Sequence, residues 1–387
     1  MGRNTLAVVA TSPYQIALFL RGHLAALPPE IDVIVFSNTE DQYRDLIGDQ
    51  PARHVPLSRS GTITPDDGRS GLVLARALRA ERVRTLVTIS PKAGFVGQLA
   101  GRAAGIPRRL HIFTGQVWES LDSGPKRWAA MAADRSIARS ATHIAADSPS
   151  QAENLKFMGI VPRGLRIDVP NPAGSIRGVD VDVFRPRPDL RVSLRSQYGV
   201  DTDAVVFIHL GRISKAKGIP ELISAFTRLR KAWRTGSAAR EPRLFLVGSE
   251  EDDSATGQHG ADGVTVLPFT PHPEEILAAM DVLVLASHRE GFGSTIIEAG
   301  AVGLPAVGTD IVGVRDAIIP GETGWLVSRR DPDALYAALA AILRDPDVVR
   351  RRGIAAQSRA RSVFGADRVT RAWTEYLLAI HGSGRRW

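Results

Sequence analysis

Residues 281–286, DVLVLA, run straight into residues 287–305, SHREGFGSTIIEAGAVGLP, in the order of a buried strand, a glycine turn and a helix start. A turn built on Gly291 and Gly293 lets the backbone pass close to a ligand. A helix opening near Ser294 and Thr295 presents unpaired N–H groups at the positive end of its dipole, a place that attracts phosphate. Two carboxylates flank this junction. Glu290 stands in the turn and Glu298 about one turn into the helix, pointing back toward its amino end. One carboxylate can therefore reach a sugar and the other a nucleoside.

The same alternation extends outward over the whole chain. Strands are expected at residues 5–10, 32–36, 85–89, 109–113 and 142–146, then at 205–210, 243–247, 264–267, 282–285, 305–307 and 325–327, with helix-length segments between them. This is an α/β pattern of parallel sheets with helices on both faces. A chain of 387 residues exceeds one ordinary core, so two doubly wound domains are expected, at 1–170 and 188–365. The Pro- and Gly-rich residues 171–187, NPAGSIRGVDVDVFRPR, read as their linker. Val369, Trp373, Tyr376 and Leu377 recur at helical spacing, so residues 366–387 are expected to supply a closing helix and tail.

Composition narrows the classes. Without cysteine there are no disulfides, thiolate zinc sites or cysteine nucleophiles. No apolar run approaches the ~20 residues of a spanning helix. MGRNTLAVVATSP reads as a first strand rather than a signal peptide, and Leu6 stands where myristoylation expects Ser or Thr. A cytoplasmic location is expected, with peripheral contact at the inner membrane face left open. The net charge of +8 is uneven: residues 51–139 hold 15 basic and 6 acidic side chains. Such a face suits an anionic partner, or is simply solvated in an arginine-rich protein. Nucleic acid is not expected, because the region offers only Phe95, Phe113, Trp118 and Trp128 for base stacking. Lys126, Arg127 and Trp128, with Arg135 and Arg139 beyond, form either a basic face with an aromatic anchor for anionic membrane or a solvated edge with Trp128 packed inside.

Ligands of doubly wound sheets bind beyond the carboxyl ends of the strands, so the following loops carry the search. Gly211 allows a tight exit from residues 205–210, and Arg212 and Lys217 flank the next helix start, two cations that suit a diphosphate. Phe269 and Thr270 can offer an aromatic ring and backbone groups to a base. Lys92, at a helix start in SPKAGFVGQLAGRAAG, meets either an anion or solvent. Thr114 and Gly115 precede Trp118, which is either a core residue or an acceptor platform. Asp180 and Asp182 have the Asp-x-Asp form of some metal sites but lie in the linker, and no metal role is expected there. His272 and His288 lack a second histidine at ligand spacing and read as loop residues.

GRISKAKG, LPFTPH, and EGFGSTIIEAGAVGLP followed by GVRDAIIPGETGWLV resemble the signature order of the retaining glycosyltransferases of family 4, strongly over residues 205–327. More diffusely, SPKAGFVGQLAGRAAGIP and GSIRGVDVDVFRP are similar to members that build bacterial surface glycans on polyprenyl-diphosphate-linked acceptors. The resemblance implies a GT-B architecture, two Rossmann-like domains facing a central cleft. It implies a nucleotide-sugar donor, a UDP-sugar, with no cofactor and no metal. Carried over by position, Arg212 and Lys217 grip the donor diphosphate, Glu290 faces the donor sugar and Glu298 binds the ribose. Gly211 and the backbone of Phe292, Gly293, Ser294 and Thr295 shape the donor site, and Phe269 and Thr270 read the base. Ser12, Tyr14, Lys92, Thr114 and Gly115 fall on the acceptor side. The chain departs from the family at Ser12 to Gln15, where many members carry a double-glycine loop, and at Thr114, where many carry histidine; His111 is expected to be packed instead. The expected activity is retaining transfer of a hexose or N-acetylhexosamine to a lipid-linked or other glycan acceptor. A nucleotide-sugar epimerase and a non-catalytic nucleotide-sugar-binding protein are the alternatives.

Overall fold

The computed structural model describes residues 4–38, 52–54, 64, 66–236 and 240–382. Within the basic region, residues 51, 55–63 and 65 lie outside the described residues. The chain divides into two compact units, Met1–Arg177 with Asp367–Trp387, and Gly178–Ala366. The first crossing therefore falls inside the stretch 171–187.

In the first unit, β1 (Thr5–Val9), β2 (Asp32–Ser37), β3 (Ala52–His54), β4 (Val83–Ile89), β5 (Arg108–Phe113), β6 (His143–Ala146) and β7 (Ile167–Asp168) form one sheet. Its order is β3-β2-β1-β4-β5-β6-β7, and every neighbouring pair is parallel. In the second unit, β8 (Val205–Leu210), β9 (Pro242–Val247), β10 (Val264–Leu267), β11 (Val282–Leu285), β12 (Ala306–Thr309) and β13 (Gly324–Val327) form the parallel order β10-β9-β8-β11-β12-β13. The central strands TLAVV and VVFIHL are buried at every residue, as strands covered by helices on both faces must be. Each sheet reverses its winding once, between β1 and β4 and between β8 and β11. Both are the Rossmann order, and a reversal is where loops diverge to opposite faces and leave room for a ligand.

Helices seat on these sheets for local reasons. Helix Ile219–Arg234 buries Ile219, Leu222, Ala225, Phe226 and Leu229, a single apolar stripe, and each large side chain so buried contributes about 1.5–3 kcal/mol. Helix Pro91–Ala103 lies unusually close to the first sheet, because a Cβ on Gly94, Gly97 or Gly101 would collide with His111, Thr88 or Leu86. The last helix, Ala366–Gly382, buries Val369, Trp373, Leu377 and Ile380 in one cluster with Leu6, Val8, Val87 and Ile89. Trp373 Nε1 donates to the Ser175 carbonyl at 3.1 Å and the Tyr376 hydroxyl to the Asp168 carboxylate at 3.0 Å. The closing helix thus completes the first unit rather than the second.

Candidate functional site

The second unit's winding reversal brings together the loops after β8 and β11. After β8 the chain makes a short 3₁₀ turn, Lys215–Lys217, and then Gly218 takes a left-handed φ of 69° to start the next helix. No other residue fits, because a Cβ there would strike the Ala286 carbonyl oxygen. After β11, Gly293 adopts φ 87° at the head of helix Ser294–Val302. Neither helix has a side-chain cap; Pro220 has no N–H and the Ile296 N–H donates to the Gly293 carbonyl at 2.9 Å, so the first-turn N–H groups left to a ligand are those of Ile219 and Glu221 and of Ser294 and Thr295.

Side chains lock the two loops to each other. Lys217 Nζ lies 2.5 Å from Glu290 Oε1, and the two side chains are only 16% and 14% exposed. The Ser287 hydroxyl donates to the same Glu290 oxygen at 2.7 Å. His288 donates its backbone N–H to the Ala216 carbonyl at 3.0 Å and its Nε2 proton to Glu221 at 2.9 Å. Burial pushes the Glu290 carboxyl up, but the charge of Lys217 and the hydrogen bonds from Lys217 and Ser287 outweigh it and hold the pKa below the ordinary glutamate range. Glu290 is therefore ionised. His209, buried in β8, is held neutral, its pKa pushed down to about 4 by burial and then by the charge of Lys217.

The remaining donor-side residues sort themselves around this pair. Arg212 does not share the Lys217 carboxylate; it donates to both oxygens of Glu251 at 3.0 and 2.8 Å and is 56% exposed. Glu298 is the fifth residue of helix Ser294–Val302 and is buried. The ring of Phe292 packs into the core against Phe364, centroids 5.3 Å apart, leaving its main chain as the part a ligand can use. Ser294 and Thr295 are half-buried in the first turn. Phe269 is 62% exposed after β10, and the Thr270 hydroxyl accepts the His272 N–H at 3.0 Å, which shapes that loop.

In the first unit, the Ser12 hydroxyl accepts the Tyr14 N–H at 3.1 Å and caps helix Pro13–Phe19, with Tyr14 largely exposed beside it. Lys92 is not solvated: it is buried, and its Nζ lies 3.2 Å from the equally buried Asp67 carboxylate. Thr114 and Gly115, the latter at φ 102°, follow β5. His111 is a core residue 2.8 Å from the Thr88 hydroxyl and edge-on to Phe113, and burial pushes its pKa to about 3. Trp118 is likewise core, donating to Asp134 at 2.8 Å, and burial pushes that carboxyl up to about 6. Trp128 is 67% exposed on helix Pro125–Ser140, which overturns the packed alternative. The Asp180 carboxylate accepts the N–H groups of Asp182 and Val183 at 3.0 and 3.2 Å, a turn-forming role. Among the described residues, no three His, Cys, Asp or Glu side chains are grouped to hold a metal.

Sequence reasoning missed two features. Glu221 and His288 pair across 67 positions, which no local spacing announces. Ser90, between β4 and helix Pro91–Ala103, sits at φ 77° and ψ 152°, a region nearly reserved for glycine, with its buried hydroxyl lacking a hydrogen-bond partner. Strain of this kind costs about 1–3 kcal/mol and clusters at functional sites. Only the Ser-Pro pair preceding a helix hinted at it.

Residues 191–359 match the family described as Glycosyl transferases group 1, and residues 15–172 match the Glycosyl transferase 4-like domain. A D-inositol 3-phosphate glycosyltransferase of Streptomyces scabiei is 30% identical over 315 residues, 76% of this chain and 67% of that protein. The capsular polysaccharide biosynthesis glycosyltransferase CapM of Staphylococcus aureus is 24% identical over 354 residues, 90% of each chain. The crystal structure of Anabaena Alr3699/HepE in complex with UDP and glucose superposes with a TM-score of 0.76 at 18% identity, covering 97% of this chain and 99% of that one. The protein is a glycosyltransferase with the two Rossmann-like sheets of the GT-B fold. More particularly, the chain belongs to the group 1 glycosyl transferases.

Proposed function

We propose that the protein transfers a hexose or N-acetylhexosamine from a UDP-sugar to a lipid-linked or other glycan acceptor of a bacterial surface polysaccharide, with retention at the anomeric carbon and without a metal. The observation that carries this is the Lys217–Glu290 pair at the winding reversal, between two helix starts without side-chain caps.

Transfer breaks the bond between the anomeric carbon and the β-phosphate oxygen, so negative charge grows on the departing diphosphate. Lys217 has three N–H donors and commits one to Glu290, which leaves two for the phosphate oxygens. The first-turn N–H groups of helix Ser294–Val302 add fixed positive potential where charge develops. Arg212, exposed on a surface ion pair, exchanges Glu251 for the diphosphate at little cost. Glu298 takes the ribose hydroxyls, and Phe269 offers its exposed ring to the base. Glu290 is already engaged by Lys217 and Ser287 through one oxygen, which makes it a poor nucleophile; this favours same-face attack guided by the leaving phosphate over a covalent intermediate. On the acceptor side, strained Ser90 keeps an unused hydroxyl near Lys92. Exposed Trp128 beside Lys126 supports peripheral contact with anionic membrane on the cytoplasmic side, and no described helix is long and apolar enough to cross one.

Relatives named for D-inositol 3-phosphate support a second acceptor reading, a phosphorylated polyol drawn to the basic first unit. Incubation with a panel of nucleotide sugars tests the proposal. Slow release of free UDP, accelerated by a polyprenyl-linked glycan, is expected; acceleration by inositol phosphate instead selects the second reading. A changed sugar with its nucleotide still attached identifies an epimerase and refutes transfer.

A further inference from the structure

The strands of the second sheet carry the donor site at their carboxyl ends. At their amino ends lies a separate cavity of about 360 Å³, bordered by Val205 at the start of β8, Asp281 just before β11 and Leu304 just before β12. Four arginines line it, Arg187, Arg191, Arg240 and Arg350, and Asp281 is the only carboxylate among the lining residues. That carboxylate is fully occupied: it pairs with Arg191 and Arg195 and accepts the Val206 N–H at 2.7 Å. Arg350 makes only a loose 3.5 Å contact with exposed Asp347. Among the described residues, Arg187 and Arg240 have no ion-pair partner, and the Arg187 Nε–H is buried without a hydrogen-bond partner.

An orphaned buried guanidinium N–H is costly unless something accepts it, and guanidinium groups match phosphate oxygens in paired, planar geometry. Helix Pro188–Gln197, whose N-cap is Arg187, has no side-chain cap, so the N–H groups of Asp189 and Leu190 stay open at that end, their field partly offset by the exposed Asp189 carboxylate. Met280, Val302 and Leu304 supply an apolar wall. We propose that this cavity binds a small phosphorylated molecule, its phosphate held by Arg187 and Arg240 and its carbon skeleton against Met280 and Leu304. The volume lies in the range of small-molecule pockets and suits a monosaccharide phosphate. This site is distinct from the donor site, whose Lys217 and Glu290 follow the opposite strand ends.

The test is calorimetry on the intact protein with glucose 6-phosphate and with inorganic phosphate, each with UDP saturating. Glucose 6-phosphate is expected to bind despite UDP, and about tenfold more tightly than inorganic phosphate, because only it meets the apolar wall. Arg187→Gln with Arg240→Gln should weaken that binding at least tenfold while leaving the affinity for UDP unchanged, which also reports that the unit is folded. Lys217→Ala should leave it unaltered. Failure of glucose 6-phosphate to bind, its displacement by UDP, or undiminished binding in the double variant overturns the assignment. Equal affinity for the two probes overturns the contact with the carbon skeleton.

Discussion

Replacing Lys217 by alanine removes the counter-charge from a Glu290 carboxylate that is only 14% exposed. Stripping one partner from a fully buried pair costs about 3–5 kcal/mol. Here both groups keep some water contact and Ser287 still donates, so a loss of about 2–3 kcal/mol in the second unit is expected by the same reasoning. Turnover should fall about 10²- to 10³-fold, and by more than the donor KM rises, because the cation is needed most as the leaving group separates. A second change separates the two effects. Adding Glu290→Gln removes the stranded charge, so stability should recover by about 2 kcal/mol while turnover stays low. The pH dependence should change sign as well. In the wild type the Glu290 pKa is depressed, so its stabilisation is present above the unfolded value of ~4.3 and is lost as pH falls through the folded one. Without Lys217 burial dominates and raises the pKa, so the variant's deficit should shrink as pH falls toward about 4. Urea unfolding at neutral and acidic pH, together with UDP release, measures all of this. Full recovery of turnover in the double variant would show that Lys217 acts only by restraining Glu290. A rise in KM alone would make it a ground-state anchor and refute the electrostatic role.

Other expectations follow from the same geometry. Glu298→Gln should weaken UDP binding roughly 10- to 100-fold by calorimetry, since charge-assisted hydrogen bonds contribute about 1.5–3 kcal/mol each; unchanged affinity removes Glu298 from the ribose site. On the proposed reading, in which Lys217 and Arg212 serve the diphosphate and Asp180 Oδ1 forms its own turn, turnover should survive EDTA; complete loss restored by Mg²⁺ or Mn²⁺ would contradict this. Flotation with anionic vesicles should fall with rising salt and weaken in a Lys126→Ala, Trp128→Ala variant. Absence of flotation at low salt would mean that this face does not meet membrane.

The strands of both sheets were legible from apolar runs such as VVFIHL and DVLVLA, because buried parallel strands leave no polar alternation to confuse the reading, whereas the strand orders are a property of the folded sheets and their Rossmann-like character was implied only by the family resemblance. The edge strands Ala52–His54 and Ile167–Asp168 escaped, being too short to show any period. The glycine turn was legible at Gly293 after Glu290, while the left-handed Gly218 beside Lys217 went unremarked. Pairings were not legible. That Lys217 would bind Glu290 while Arg212 turned to Glu251 depends on the register in which β8 meets β11 and β9, a property of the folded sheet. For Lys92 the sequence left an anion or solvent open, and the structure gives a carboxylate; that it is Asp67 was not legible, because Asp67 lies on helix Asp66–Ala80 and a buried ion pair leaves no mark on either segment alone.

The docking of helix Ala366–Gly382 into the first unit sets an order of completion during synthesis. The second unit is continuous from Gly178 to Ala366, so it can close as soon as it clears the ribosome. The first unit must wait for Trp373 and Leu377 to cover Leu6 and Val8. At about 5–20 residues per second, that interval lasts on the order of 10–40 seconds. Throughout it, the amino-terminal half of the nascent chain carries an uncovered apolar face, and the half made second is the half finished first.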